Sequence, residues 1–225
     1  MNSKTPSIAG RLKDELGAIC AKSGILLVGL TGGIASGKSS VAAMLEEMGA
    51  QIIDFDILAR KVVEPGRPAW KETVDCFGRE ILLDDDNLDR KMLSGIVFSD
   101  AEKRKKLEAF IHPHISEEFI KQVNRIALKD PASIILGVVP LLFEGKMQDL
   151  YHQIVVVYIS GKKQLERLTE RDGISREEAT RILDAQMPID DKVGYADLVI
   201  NNEGSLQETR EQVRGLWQAL KELQK

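Results

Sequence analysis

The chain has 225 residues, 43% of them apolar and 29% charged, and a formal net charge of −4. That length suits one domain, or one core domain carrying an insertion, and the apolar share is enough to bury a sizeable core. The even charge balance argues against a bulk nucleic-acid binder, which shows a basic excess, and no apolar run reaches the length that spans a bilayer. The two cysteines, Cys20 and Cys76, are far apart. No C-x-x-C pair exists, so a zinc ribbon or a redox motif is unsupported and free thiols in a reducing compartment are expected. The first 24 residues lack the continuous apolar stretch of a signal peptide. A cytoplasmic protein with neither a nucleic-acid nor a membrane partner is expected.

Residues 1–24 read as an N-terminal extension. Ile8, Leu12, Leu16 and Ile19 recur at roughly helical spacing, which permits a short amphipathic helix, although chain ends of this kind commonly lie on the surface or fray. Residues 25–30 are apolar, short and followed by glycines, the pattern of a buried parallel strand. Over 38–48, Val41, Met44, Leu45 and Met48 share one helical face, and Gly49 closes it. Residues 51–53 form a second strand with Asp54 and Asp56 at its carboxyl end.

From about 56 to 130 the pattern is mostly helical. Leu58, Val62 and Val63 mark one helix, stopped near Pro65 and Gly66. Ser99 and Glu102 have the spacing of a capping box that opens another, and Ile115, Phe119, Ile120 and Val123 continue at helical spacing. This stretch reads as a helical insertion between two strands of the core sheet. Residues 133–139 and 154–159 are the third and fourth buried strands, the third closed by Pro140. Two charged helices follow between 162 and 185, separated by Asp172 and Gly173, the second opened by Ser175 and Glu178. Residues 197–200 are a last strand. Ser205 and Glu208 then cap a helix that turns Val213, Leu216, Trp217 and Leu220 inward. Strands alternating with helices predict an α/β fold, a five-stranded parallel sheet flanked by helices. Ligands of such sheets bind at the carboxyl ends of the strands.

Gly32-Gly33-Ile34-Ala35-Ser36-Gly37-Lys38-Ser39 matches G-x-x-x-x-G-K-[ST], between a predicted strand and a predicted helix. Gly32 and Gly37 permit backbone angles that other residues resist, so the loop can turn its N–H groups toward phosphate oxygens. The helix that follows aims its positive dipole end at the same place. Lys38 would reach the β- and γ-phosphates, and the Ser39 hydroxyl would ligate Mg²⁺. Residues 32–39, with Ser40 beside them, are therefore the candidate ATP site.

A phosphate loop alone does not distinguish a kinase from a GTPase. Phosphoryl transfer further needs an aligned acceptor hydroxyl, a base or orienting carboxylate, and positive charge. Asp54 and Asp56 lie where one can cap the next helix and the other can take the acceptor's proton, and Asp56 is the expected functional residue. Lys163, Arg167 and Arg171 are spaced i, i+4, i+8, with Arg176 starting the next helix. This basic face can close over ATP as a lid, or be a solvated face paired with Glu166 and Glu170. Glu144, just past the third strand, can act on magnesium through water, organise the acceptor pocket, or be a structural carboxylate. His112-Pro113-His114 lacks further nearby ligands, since His152 is the remaining histidine, so substrate contact or packing is expected there rather than zinc.

Together these residues resemble dephospho-coenzyme A kinases. The resemblance lies in the loop 30–39, the D-x-D of Asp54-Phe55-Asp56, Ala59-Arg60 followed by Glu64-Pro65-Gly66, His112-Pro113, Val139-Pro140-Leu141-Leu142-Phe143-Glu144, Gln164-Leu165 with Arg167, Arg171-Asp172, Arg176, and Ala185-Gln186. It covers about residues 25–220, in the family's order. It implies a P-loop kinase domain over 25–225, with a helical acceptor-binding subdomain at about 56–130 and a lid at about 162–190. It also implies transfer of the ATP γ-phosphate to the 3′-hydroxyl of dephospho-coenzyme A. Asp56 would be the base, Arg167 and Arg171 lid contacts to ATP, and Arg60 and His112 neighbours of the acceptor. Ala35 stands where the family usually has glycine, and Phe55 where it often has alanine. A kinase of another nucleoside or nucleotide shares most of these features. A GTP-binding switch would carry an Asn-Lys-x-Asp sequence, which is missing here. A binding module without catalysis sits poorly with Lys38, Ser39 and Asp56 together.

Overall fold

The structure, a computed structural model, describes residues 8–224. Residues 1–7 of the expected extension, the side chains of Ile8 and Ala9, and Lys225 lie outside the described part. In chain order the principal elements are α1 (Ile8–Lys22), β1 (Leu26–Gly32), α2 (Lys38–Glu47), β2 (Gln51–Asp54), α3 (Phe55–Lys61), α4 (Pro68–Phe77), α5 (Arg90–Ser99) and α6 (Ala101–Lys129). They continue with β3 (Ile134–Val138), β4 (Gln153–Tyr158), α7 (Gly161–Asp172), α8 (Arg176–Asp184), α9 (Ile189–Val193), β5 (Leu198–Asn201) and α10 (Leu206–Leu223). Short 3₁₀ turns at Arg79–Ile81 and Gln148–Leu150 complete them.

The strands form one parallel sheet in the order β2-β3-β1-β4-β5. β1 lies between β3 and β4, and all seven of its residues are buried. A strand covered on both faces has no solvent side to alternate with, which is why 26–32 reads as an unbroken apolar run. On one face Leu26, Val28 and Leu30 pack with Ile134, Leu136 and Val138 against Val41 and Leu45 of α2 and Val213, Leu216 and Trp217 of α10. On the other face Ile25, Leu27, Ile53 and Ile135 meet Phe119, Val123 and Ala127 of α6. A separate small core inside the helical stretch gathers Val62, Val63, Phe77, Ile81, Leu88 and Leu93. Gly29 and Gly137 are paired across β1 and β3, and the Tyr151 ring lies over both. A methyl group added at Gly29 would come within 3.0 Å of that ring and 2.7 Å of Leu142.

Two expectations change. The N-terminal segment does not merely lie on the surface, because Leu12 and Leu16 of α1 are 5% and 2% exposed and belong to the core under α6. The helix start near residue 100 is capped by Asp100 rather than Ser99. The Ser99 hydroxyl donates back to the Gly95 and Ile96 carbonyls and stays in α5. The Asp100 carboxylate accepts from the Glu102 and Lys103 amides, each at 3.0 Å, and a charged acceptor is favoured at the positive end of a 29-residue helix. Farther on, Ser175 caps α8 by accepting from the Glu178 amide, one half of the expected box, and Ser205 and Glu208 form the full reciprocal box.

Leu16→Ala is expected to destabilise the protein by about 2–4 kcal/mol, the usual range for truncating a buried leucine. Chemical denaturation measures it, and a loss below about 0.5 kcal/mol would return α1 to a surface role.

Candidate active site

The loop between β1 and α2 turns through Gly37, which precedes the helix at φ 93°, in the left-handed region. A side chain there would be strained and would also strike the Asn202 amide nitrogen. Asn202, just past β5, braces the loop. Its Nδ2 donates to the Ser36 carbonyl at 2.8 Å, its Oδ1 accepts from the Thr209 hydroxyl at 2.8 Å, and its own carbonyl accepts from Arg167 Nη2 at 3.0 Å. Ala35 also lies at φ 57°. The one departure from glycine in the loop thus occupies an angle that suits glycine, at a cost of about 1 kcal/mol. Phe55, the other departure, turns into the core, its ring centroid 4.9 Å from that of Phe119.

Lys38 opens α2 and folds over the loop, donating to the Gly33 and Gly32 carbonyls at 2.8 and 3.1 Å. Burial, with the Lys192 and Arg171 charges beside it, pulls its ammonium pKa down to about 8, against the pull of Asp56 and Asp54. Ser36 Oγ is buried and has no partner among the described residues. Ser39 and Ser40 are exposed at the first turn of α2.

The two aspartates after β2 divide as their positions require. Asp54 caps α3, its Oδ1 accepting from the Asp56 and Ile57 amides at 2.8 and 3.3 Å. Asp56 is exposed one turn into the site. Partial burial of its carboxyl and the neighbouring Asp54 charge raise its pKa above the ordinary carboxylate value, while Lys38 and Arg60 oppose them. Arg60 is exposed on the same short helix. An ion pair of 2.6 Å between Lys61 and Glu118 ties α3 to α6, and His112 is exposed on α6, about 9 Å along the axis from Glu118. His114 faces Glu72 at 3.3 Å, and His152 Nδ1 accepts from the Leu27 amide, so neither is a site residue.

Glu144 is not a free carboxylate. Lys192 of α9, fully buried, donates to Glu144 Oε1 at 2.9 Å and to the Pro140 carbonyl at 3.2 Å. Glu144 Oε1 also accepts from the Met187 amide. Burial works against this carboxyl's ionisation, and the hydrogen bonds from Lys192 and Met187 outweigh it, so its pKa lies below the ordinary value. On α7, Arg171 makes a bidentate pair with Asp172 at 2.6 and 2.8 Å, and Lys163 donates to the Glu203 carbonyl. Among the described residues these side chains turn to Glu203 and Asp172, not to Glu166 or Glu170 as the alternative reading of this face had it. Lys192 and Asn202 escaped the sequence reading because a lysine in Ile189-Asp190-Asp191-Lys192 and an asparagine in Asn201-Asn202-Glu203-Gly204 look like an ordinary polar helix and turn.

A glycine-rich loop at the carboxyl end of β1, its lysine within the electrostatic reach of an aspartate and of the basic helix α7, is the apparatus of a P-loop kinase. Shikimate kinase from Acinetobacter baumannii shares the fold, with a TM-score of 0.50 at 16% identity over 89% of this chain and 96% of that one. More narrowly, the chain belongs to the dephospho-CoA kinase family, whose model matches residues 26–208. It is 49% identical over 193 residues to dephospho-CoA kinase of Geobacter metallireducens, covering 86% of this chain and 96% of the relative. Among solved structures, a Thermus thermophilus protein aligns with a TM-score of 0.74 at 34% identity, covering 86% of this chain and 96% of the other. Dephospho-CoA kinase from Campylobacter jejuni aligns with a TM-score of 0.61 at 26% identity, covering 88% and 98%. The chain is thus an ATP-dependent phosphotransferase whose acceptor is dephospho-coenzyme A, as its motif series implied.

Ala35→Gly relieves the left-handed strain and is expected to raise stability by up to about 1 kcal/mol, read as a denaturation midpoint. An unchanged or lower midpoint would show that the strain is compensated elsewhere. The Lys38 ammonium offers a pH test. Above pH 8 it loses its proton, and a bound polyphosphate raises its pKa, so ATP binding near pH 8.5 should take up protons. Titration calorimetry in buffers of different ionisation enthalpy should find this uptake in the wild type and not in Lys38→Met.

Proposed function

We propose that residues 32–40 hold the ATP phosphates and that Asp56 takes the proton of the acceptor's 3′-hydroxyl. The ribose oxygen forms the new bond to the γ-phosphorus, the bond from that phosphorus to the ADP oxygen breaks, and the products are coenzyme A and ADP. The observation that carries this reading is the division of labour after β2: capping occupies Asp54, and Asp56 faces the loop with a raised pKa, nearer the range that suits a base. The unpartnered Ser36 hydroxyl beneath the loop supports it too.

Lys38 leaves its carbonyl partners to meet the β- and γ-phosphates, and Arg167 and Arg171 close from α7 to neutralise charge that builds in the transition state. Residues 162–190 then act as a lid. The helical stretch 56–130 holds the acceptor, with Arg60 and His112 toward it and Glu144, held by Lys192, shaping its near side. Mg²⁺ takes few protein ligands and completes its shell with waters and phosphate oxygens. The exposed Ser39 hydroxyl suits that habit, as does the lack of any cluster of three His, Cys, Asp or Glu ligands among the described residues. Ser39 would hold the ion, which when bound screens the phosphate charge. No helix among the described residues is long and apolar enough to cross a membrane. Because the reaction consumes ATP, we place it in the cytoplasm.

A coupled assay of ADP release with dephospho-coenzyme A against nucleoside monophosphates tests the acceptor. Lys38→Ala should abolish turnover. Asp56→Asn should lower kcat by about 100-fold or more while leaving ATP affinity within a few-fold, and a near-normal kcat would rule out Asp56 as the base.

A further inference from the structure

Besides Asn202, a second residue from outside the phosphate loop holds it. The Ile34 amide donates to Gln186 Oε1 at 3.1 Å, from a residue just past α8. The backbone around Gln186 is fixed on both sides. Its own amide donates to the Leu183 carbonyl at 3.0 Å, and the next amide, of Met187, donates to Glu144, which the buried Lys192 holds at 2.9 Å. The side chain is therefore presented to the loop by an anchored turn, and it is half-buried rather than solvated.

A carboxamide carries an acceptor and two donors at the same tip, so rotation about its last torsion exchanges Oε1 for Nε2 without moving the backbone. Ile34 lies at the end of the loop where Lys38 Nζ rests on the Gly32 and Gly33 carbonyls. A lysine in this motif serves the β- and γ-phosphates. A phosphate oxygen arriving there is a stronger acceptor than an amide oxygen and takes the Ile34 N–H.

We propose that Gln186 is a terminal-phosphate contact: it yields the Ile34 amide to the γ-phosphate and turns its own Nε2 to donate to that group. ADP lacks the phosphoryl group that takes the Ile34 amide, so Gln186 favours ATP over ADP and returns to Ile34 once that group has left. The inference rests on the reading of residues 32–39 as the ATP phosphate site.

Calorimetric titration of the full chain with ADP and with a β,γ-methylene ATP analogue tests it, with thermal midpoints recorded for each variant. Gln186→Ala is expected to weaken the triphosphate analogue about tenfold, as loss of a hydrogen bond to a charged group does, and to leave ADP within about twofold. If alanine loosens the turn and lowers the midpoint, the isosteric Gln186→Glu provides the reading, because its carboxylate repels the terminal phosphate and again weakens the triphosphate more. Equal weakening of both nucleotides, or of neither, overturns the assignment. Lys38→Ala is the companion measurement. Normal triphosphate binding in Lys38→Ala overturns the loop reading itself. A normal dependence on Lys38 with an unchanged ATP-to-ADP ratio in the Gln186 variants overturns only the role of Gln186.

Discussion

A fully buried ammonium has to be compensated, and in this protein that requirement organises the floor of the site. Lys192 has no access to water, and removing one partner of such a buried pair costs several kcal/mol. Its charge is met by Glu144, and a second of its donors by the Pro140 carbonyl, which also accepts from the Thr31 hydroxyl at 3.4 Å. Three segments far apart in sequence are thereby locked together: the end of β1, the turn after β3 and α9. Through the Met187 amide the same carboxylate sets where the chain leaves α8. The segment after α8 is thus anchored at a fixed point, and the Lys192 charge near Lys38 lowers that lysine's affinity for its proton.

The phosphate loop depends on a comparable brace from the opposite side. The N–H groups of a phosphate loop must point inward whether or not phosphate is bound, and backbone angles alone do not hold them there. Asn202 holds the Ser36 carbonyl, and the Ile34 amide is held by Gln186. Both braces come from the carboxyl-terminal half of the chain, so the loop reaches its geometry only when β4, β5 and the segment after α8 are in place. Arg167 joins this network through the Asn202 carbonyl, which connects the basic face of α7 to the loop by a single residue.

The second face of the sheet carries the helical stretch. Phe55 and Phe119 pack with their rings tilted by 54°, and Tyr151 continues the cluster over the Gly29–Gly137 pair. The bulk that Phe55 adds between Asp54 and Asp56 is absorbed by this core. Leu12 and Leu16 of α1 close the same core from outside. The N-terminal segment therefore supports α6, the helix that carries His112. It lies outside the residues that match the family, yet it is continuous with the packing of α6 against the sheet.

Much of the fold was legible because it rests on local patterns: apolar runs of strand length, helical periodicity over 38–48 and 206–223, and capping residues at the helix starts. The phosphate loop, the aspartate pair and the motif series that points to dephospho-coenzyme A were likewise legible, since each is a short run whose chemistry follows from its own residue types. The capping position at Asp100 was misjudged because Ser99 and Asp100 both qualify locally, and the choice turned on which one the preceding helix retained. The burial of α1 was not legible, because an amphipathic stripe on a terminal segment does not state which surface it will meet. Lys192, Asn202 and the Gln186 contact were decided by tertiary structure alone. Their roles depend on hydrogen bonds across dozens of residues of chain, and a side chain's charge or amide in sequence says nothing about which distant carbonyl or carboxylate the fold will place within 3 Å of it.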